Sequence, residues 1–400
     1  MIIIANKFLH SYLESKYKYF SIILLFSLSI YPTFTQAELT IPRQLEWKDR
    51  GVALMAGPQG SWDERLHGMI SPCTVVKKNG TYFLYYIGAD GDRSTDGGPR
   101  HRALGVATST DGIYFTKHSG NPILTYLPHN NEEEGIYSAG STLDGRGNIV
   151  LYYSALDAGS SNSTSVDSDV RLSVSANGLD FIDLGDVLSH ADRTVWGYGD
   201  ELFPVGVFNT GRTWYLYYIA RGNDAKWDLG LAWGESPEEL INTQAVLKDH
   251  VDIIGGGDPI RLDSDTIGLF MVKDFARSFV AVNAASIGAP WILDSNKLTY
   301  DFTGYRHSTV FLDRDAKTWF MYLREVGGDQ VHVFTAPAHG LENTSVSVSN
   351  PMVTGSYEVL QNGLHFGAFA CADRAYTITL CPVHLREPHR LEHGTIDPPF

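Results

Sequence analysis

Tyr82-Phe83-Leu84-Tyr85-Tyr86, Ile149-Val150-Leu151-Tyr152-Tyr153, Trp214-Tyr215-Leu216-Tyr217-Tyr218, Leu269-Phe270-Met271-Val272 and Trp319-Phe320-Met321-Tyr322 are five versions of one aromatic-aliphatic strand. A lead-in precedes each: Ser71-Pro72-Cys73, Ser138-Ala139-Gly140, Phe203-Pro204-Val205, Asp258-Pro259-Ile260 and Arg306-His307-Ser308. Such strands favour extended backbone, and a unit recurring at a fixed period marks a radial or solenoid assembly. Five copies predict an all-β fold, a five-bladed β-propeller. The strands are nearly continuous in apolar character rather than alternating, as expected of strands covered on both faces by neighbouring blades.

A second marker repeats with the first. Ser109-Thr110-Asp111-Gly112 follows the first strand and Ser175-Ala176-Asn177-Gly178 the second, and Asp-Gly and Asn-Gly predict tight hairpin turns. Asp111 and Asn177 are 66 residues apart, Leu84 and Leu151 67. Helical periodicity is scarce, with Ser236-Pro237-Glu238-Glu239-Leu240 the best short helix start.

Residues 1–37 read as a signal peptide: Lys16 and Lys18 precede the apolar run Phe20 to Ser29, and Thr35-Gln36-Ala37 offers a cleavage site. Export to a secreted or periplasmic location is expected, with residues 38–400 forming one propeller and 341–400 its closing strands or a C-terminal extension. Removing the three Lys and one Glu of the leader leaves 28 basic and 45 acidic residues, a formal charge of −17. That surface argues against nucleic acid or anionic membrane as partners. A hydrophobic content of 43% with 19% charged residues fits a globular body with a sizeable core.

Three cysteines make no disulfide framework or zinc site. Cys371 and Cys381 could pair across a C-terminal hairpin, while Cys73 reads as a buried small hydrophobe. Asn79, Asn162 and Asn343 head glycosylation sequons, which matter only in a eukaryotic secretory route.

In a propeller the residues just before each repeat strand converge on the axis. Here they include Trp62-Asp63-Glu64, Glu132-Glu133-Glu134, Asp200-Glu201, Asp258 and Tyr305-Arg306-His307. Four copies supply carboxylates and the fifth an imidazole. Paired carboxylates are what glycosidic cleavage requires, one to protonate the leaving oxygen and one to activate water or attack the anomeric carbon. Trp62, Trp196, Tyr198 and Tyr305 flank these acids and could stack on sugar rings, with Glu64, Glu134, Arg306 and His307 as further substrate contacts. Arg100, His101 and Arg102 could meet an anionic group. Competing structural readings are a loop carboxylate paired with Arg65 for Asp63, a turn for Gly255 to Asp258, and a core histidine for His307.

The stretch Ile70-Ser71-Pro72-Cys73-Thr74-Val75-Val76 through Gly80-Thr81-Tyr82-Phe83-Leu84-Tyr85-Tyr86, with Glu201-Leu202-Phe203-Pro204 and Asp258-Pro259, resembles the five-bladed propeller superfamily of glycoside hydrolase families 43, 32, 62, 68, 117 and 130. The resemblance is closest to family 43 and covers residues 45–340. It implies inverting hydrolysis with Asp63 as base, Glu201 as acid and Asp200 or Asp258 as the tuning carboxylate. It also implies a water or a structural calcium beside His307, with no cofactor required. Where that family sets Asp-Pro at the first strand, this chain has Ser71-Pro72, so the base is drawn from the preceding loop. The expected activity is that of an exported glycosidase. A family 130-like phosphorylase, using the basic cluster at 100–102, and a noncatalytic sugar-binding propeller are the alternatives.

Overall fold

The computed structural model describes residues 39–380 apart from 65–68, 91–100, 126–133, 158–166, 190–200, 222–226, 248–252, 257–258, 263–266, 274–277, 285–291, 294–298, 303, 341–343, 348–355, 362–363 and 370–376. Residues Leu39–Phe400 form one compact unit. Every copy of the repeat becomes an antiparallel strand group. A 3-10 turn at Gln44–Glu46 and β1 (Lys48–Met55) come first. The first group holds β2 (Met69–Lys78), β3 (Thr81–Ala89), β4 (His101–Ser109), β5 (Thr116–Lys117) and β6 (Leu124–Thr125). The second holds β7 (Glu134–Leu143), β8 (Ile149–Asp157), β9 (Asp167–Ser175) and β10 (Ile182–Leu188). In the third are β11 (Leu202–Asn209), β12 (Trp214–Arg221), β13 (Trp227–Gly234) and β14 (Asn242–Leu247). The fourth comprises β15 (Ile253–Gly256), β16 (Ile260–Arg261), β17 (Ile267–Lys273), β18 (Ser278–Ala284), β19 (Ile292–Leu293) and β20 (Thr299–Asp301). The fifth comprises β21 (Tyr305–Asp313), β22 (Thr318–Glu325) and β23 (Gln330–Pro337), completed by β1, which pairs antiparallel with β23.

The first strands touch in cyclic order, β2 to β7, β7 to β11, β11 to β15, β15 to β21 and β21 back to β2. The groups therefore close into the ring of an all-β propeller. A short parallel bridge, His101 with Glu134 and Arg102 with Gly135, joins the first two groups into one sheet. Closure falls to β1 rather than to the C-terminal segment: β24 (Thr344–Ser347) pairs with β27 (Thr377–Leu380), and β25 (Ser356–Gln361) with β26 (Leu364–Phe369).

The second strand of each group explains the continuous apolar reading. Side chains alternate across a strand, so Tyr82, Leu84 and Tyr86 of β3 pack towards the fifth group, with Phe320 and Tyr322. Phe83, Tyr85 and Ile87 turn the other way, to Ile149, Leu151 and Tyr153 of β8. Val150 and Tyr152 then meet Leu216 and Tyr218, Tyr217 and Ile219 meet Ile267 and Leu269, and Phe270 meets Trp319 and Met321. Among the described residues, one apolar cluster thus fills each interface between successive groups.

Two turn assignments change. Both central residues of a type I′ turn need positive φ, and that pair is Asn79 (φ 51°) and Gly80 (φ 81°), joining β2 to β3. At 111–112 and 177–178 only the glycine has positive φ. Those segments are longer loops in which Asp111 Oδ1 accepts the N–H groups of Ile113 and Tyr114, and Asn177 Oδ1 those of Leu179 and Asp180. The predicted helix at Ser236 to Leu240 is also absent, and a bend stands there in which Ser236 Oγ accepts the Glu239 N–H at 3.2 Å. One capping bond of this kind stabilises a turn, but with no apolar stripe following it nothing extends the helix.

Candidate functional site

Each first strand carries a register break near its start: between Pro72 and Thr74 in β2, Ile136 and Ala139 in β7, Pro204 and Gly206 in β11, Ile253 and Gly256 in β15, and Arg306 and Ser308 in β21. A bulge leaves a residue unpaired, bends the strand and re-aims side chains. Five bulges at matching places put Cys73, Tyr137-Ser138, Val205, Ile254-Gly255 and His307 at irregular positions on the first strands of the ring. The sequence hides this device, since the bulge residues have no common type.

Glu201 stands directly before β11 and is buried, 9% exposed. The next residue is fixed by a two-way clasp: Ser168 Oγ accepts the Leu202 N–H at 2.6 Å and donates to the Leu202 carbonyl at 3.0 Å. Beyond it, Phe203 stacks on Tyr137 of β7, with ring centroids 5.1 Å apart and planes 20° from parallel. Arg102, at the head of β4, lies over the same tyrosine, its guanidinium carbon 3.7 Å from the ring centroid. Three successive groups thus contribute Arg102, Tyr137 and Phe203 to one stack, and Glu201 precedes Phe203 by two residues in the sequence.

Asp63 is placed differently. Its segment folds back on the residues just after β1 through an isolated parallel bridge between Gly57 and Glu64, and it lies against Gly88 of β3, where an added Cβ would come within 2.6 Å of the Asp63 Cβ. Its carboxylate is 3% exposed as a residue and accepts from Lys117 Nζ at 2.6 Å, Tyr86 Oη at 3.2 Å and Ser61 Oγ at 3.2 Å. Asn121 Nδ2 donates in turn to Tyr86 Oη at 3.1 Å. The partner foreseen for a loop carboxylate, Arg65, lies outside the described residues, and Lys117 takes that place. Glu64 is equally committed to its loop, accepting the Gly60 N–H at 2.6 Å. Trp62 packs on Tyr86, centroids 5.6 Å apart, and against Gly88 and Gly105.

Tyr305 opens β21 and packs edge-on to His332 and Phe334 of its own sheet, its hydroxyl 3.3 Å from His332 Nδ1. Burial raises its pKa. Arg306 and His307 flank and occupy the β21 bulge. Glu134 heads β7 opposite His101. The side chains of Glu134, Arg306 and His307, and all of Trp196, Tyr198, Asp200 and Asp258, lie outside the described residues, as do Arg100, Cys371 and Cys381. Among the described residues no three His, Cys, Asp or Glu side chains gather as a metal site. Cys73, within the β2 bulge, is a free cysteine whose thiol is pushed up to about 12 by burial.

No family model matches the sequence, and no curated protein matches it. Solved structures do share the fold. A family 117 glycoside hydrolase produced by the marine bacterium Zobellia galactanivorans superposes with a TM-score of 0.52 at 16% identity, covering 74% of this chain and 91% of that one. A glycosyl hydrolase from Bacteroides ovatus gives 0.51 at 15% identity over 76% of this chain and all of its own. An α-L-arabinofuranosidase from Lactobacillus brevis gives 0.50 at 11% identity over 67% and 91%. The chain has the propeller fold on which these glycoside hydrolases are built. No described helix is long and apolar enough to cross a membrane.

Proposed function

We propose that the chain is a glycoside hydrolase acting on a neutral poly- or oligosaccharide, with Glu201 as the general acid. The observation that carries this reading is a buried glutamate directly before an innermost strand, whose first residue, Leu202, is held by the Ser168 clasp and whose second, Phe203, stacks on Tyr137. The likeness in fold to solved glycoside hydrolases supports the same class.

The second carboxylate is assigned to Asp200 or Asp258. Asp63 reads as a base in the sequence, but three donors already occupy its oxygens and little of it is exposed. A base must reach the proton that it removes. Asp63 is therefore given an anchoring role for the 57–64 segment. The displacement is inverting, with the paired carboxyl groups separated by roughly 6.5–9.5 Å to leave room for a water. The reaction proceeds on carboxylates alone, and the product leaves outside the cytoplasm if residues 1–37 direct export.

We place the phosphorylase alternative second: of its basic cluster, Arg102 is buried over Tyr137 and His101 pairs with Asp90 at 2.8 Å, while Arg100 lies outside the described residues. The test is release of reducing ends from arabinan, xylan, fructan and agaran by the full chain, with and without phosphate, beside Glu201→Gln. Turnover independent of phosphate, reduced by about 10²-fold or more in the variant, is the expected result. Binding without turnover in either form would make the protein a sugar-binding propeller, and turnover only with phosphate would make it a phosphorylase.

A further inference from the structure

Tyr137 differs from five tyrosines of the repeat strands whose hydroxyls are committed. Tyr82, Tyr85, Tyr86, Tyr152 and Tyr322 each donate their hydroxyl to a protein acceptor: Asp313, the Gly178 carbonyl, Asp63, the Pro237 carbonyl and the Gly112 carbonyl. All five are buried or nearly so. Tyr137 is 40% exposed, although its strand neighbours Ile136 and Ala139 are buried, and among the described residues no group pairs with its hydroxyl. It lies inside the β7 bulge, where its own N–H and that of Ser138 both donate to Ser154 Oγ, at 3.0 and 2.9 Å. The two donors that leave the ladder are thus satisfied, and the irregular backbone is held in one shape.

The ring itself is held as firmly. Arg102 from the preceding group lies over it and Phe203 from the following group stacks on it. A side chain fixed at backbone and ring, yet exposed and unpaired at its polar end, is organised for a ligand before the ligand arrives. Phe203 lies two residues beyond Glu201, so the stack is anchored next along the chain to the residue assigned as acid.

We infer that Tyr137 is a specificity-determining contact that fixes a hydroxyl of a neutral sugar next to Glu201. This rests on the glycosidase reading above. The ligand class follows from the chemistry: a neutral phenol donates to or accepts from an uncharged hydroxyl, and a chain of formal charge −15 disfavours acidic glycans. The hydroxyl acts on placement of the ring rather than on proton transfer, so its removal shows in KM more than in kcat.

The experiment uses the full chain, the neutral arabino-, xylo-, fructo- and agaro-oligosaccharides, and the variants Tyr137→Phe and Tyr114→Phe. Tyr114 is an exposed tyrosine of the 109–115 loop and serves as the control. On whichever oligosaccharide the wild type cleaves, Tyr137→Phe raises KM roughly three- to tenfold, kcat stays within about twofold, and Tyr114→Phe moves neither. A deoxy-sugar substrate lacking the contacted hydroxyl should show the same loss on wild type and no further loss on Tyr137→Phe, a coupling that a merely structural tyrosine would not produce. Wild-type cleavage with an unchanged KM in Tyr137→Phe overturns this inference and leaves the glycosidase reading intact. Absence of both cleavage and binding in the wild type overturns the two together.

Discussion

Tyr85 Oη donates to the carbonyl of Gly178 at 3.0 Å, linking the second strand of one group to the loop that follows the third strand of the next. The same position recurs around the ring: Tyr152 reaches the Pro237 carbonyl at 2.8 Å and Tyr322 the Gly112 carbonyl at 2.7 Å. A tyrosine repeated in the sequence is thus a repeated inter-group latch. Tyr85→Phe keeps the ring and strands the carbonyl, so denaturant unfolding should show a loss of about 1–2 kcal/mol. Tyr85→Phe with Tyr322→Phe should be close to additive, because the two latches share no partner.

Lys77 and Tyr82 converge on Asp313, with Lys77 Nζ at 2.7 Å from Oδ2. Burial raises the pKa of Asp313, but the N–H of Ala316, Lys77 and Tyr82 outweigh it and the net direction is down. A carboxyl lowered in the folded state stabilises fully above its unfolded value of about 3.9, and that contribution fades as pH falls through the lower folded value. Asp313→Asn should lose about 2–4 kcal/mol at neutral pH, and its deficit relative to wild type should shrink below about pH 4. Paired melts between pH 3 and 7 measure it, and a deficit constant with pH would contradict the assignment.

Ser168 positions Glu201 through the main chain of Leu202. In Ser168→Ala both halves of the clasp go, leaving a buried N–H and carbonyl without that hydroxyl. The expected outcome is a kcat lower by about tenfold and a stability loss of about 1–3 kcal/mol, with Ser168→Thr recovering part of each.

At the parallel bridge between β4 and β7, Gly135 has φ 128° and a Cβ there would lie 2.1 Å from the Arg102 carbonyl oxygen. Gly135→Ala must push the strands apart. A loss of more than about 2 kcal/mol is expected, together with a drop in sugar affinity as Arg102 shifts from Tyr137.

If Asp63 is an anchor, Asp63→Asn and Lys117→Met should each destabilise, by about 2–4 kcal/mol and somewhat less respectively, with a marked coupling between them. Turnover per folded molecule should survive in both. A folded Asp63→Asn protein with turnover reduced by 10²-fold or more would return Asp63 to the role of base.

The architecture was open to reading because one physical rule wrote it five times. A strand covered on both faces must be apolar at every position, so Tyr82 to Tyr86 and its copies stand out even where identities drift, as in Leu269-Phe270-Met271-Val272. The burial of Glu201 follows from a related cue, since it stands directly before an apolar strand, where an acidic residue needs a role or a partner. For Asp63 the sequence offered a base or a loop carboxylate paired with Arg65, and gave no sign of Tyr86 and Lys117, the partners that lie well beyond it along the chain. Tyr137 left no mark at all. It depends on a bulge, and a bulge is a matter of register between two strands rather than of residue type. The Asp111-Gly112 and Asn177-Gly178 turns were located correctly but given the wrong form, since a side-chain oxygen capping following N–H groups competes with the two-residue hairpin for the same residues.

Lys48 of β1 pairs with Thr335 of β23, so the first described strand of the ring is the last of the ring's strands to find its neighbour. During synthesis β1 must wait unpartnered while every other group passes, and its neighbour arrives only when the ribosome is far downstream. An open solenoid can fray or grow from an end, whereas this hoop has no end from which to unwind. Its failure should be abrupt, with the loss of 48–55 opening the whole circle.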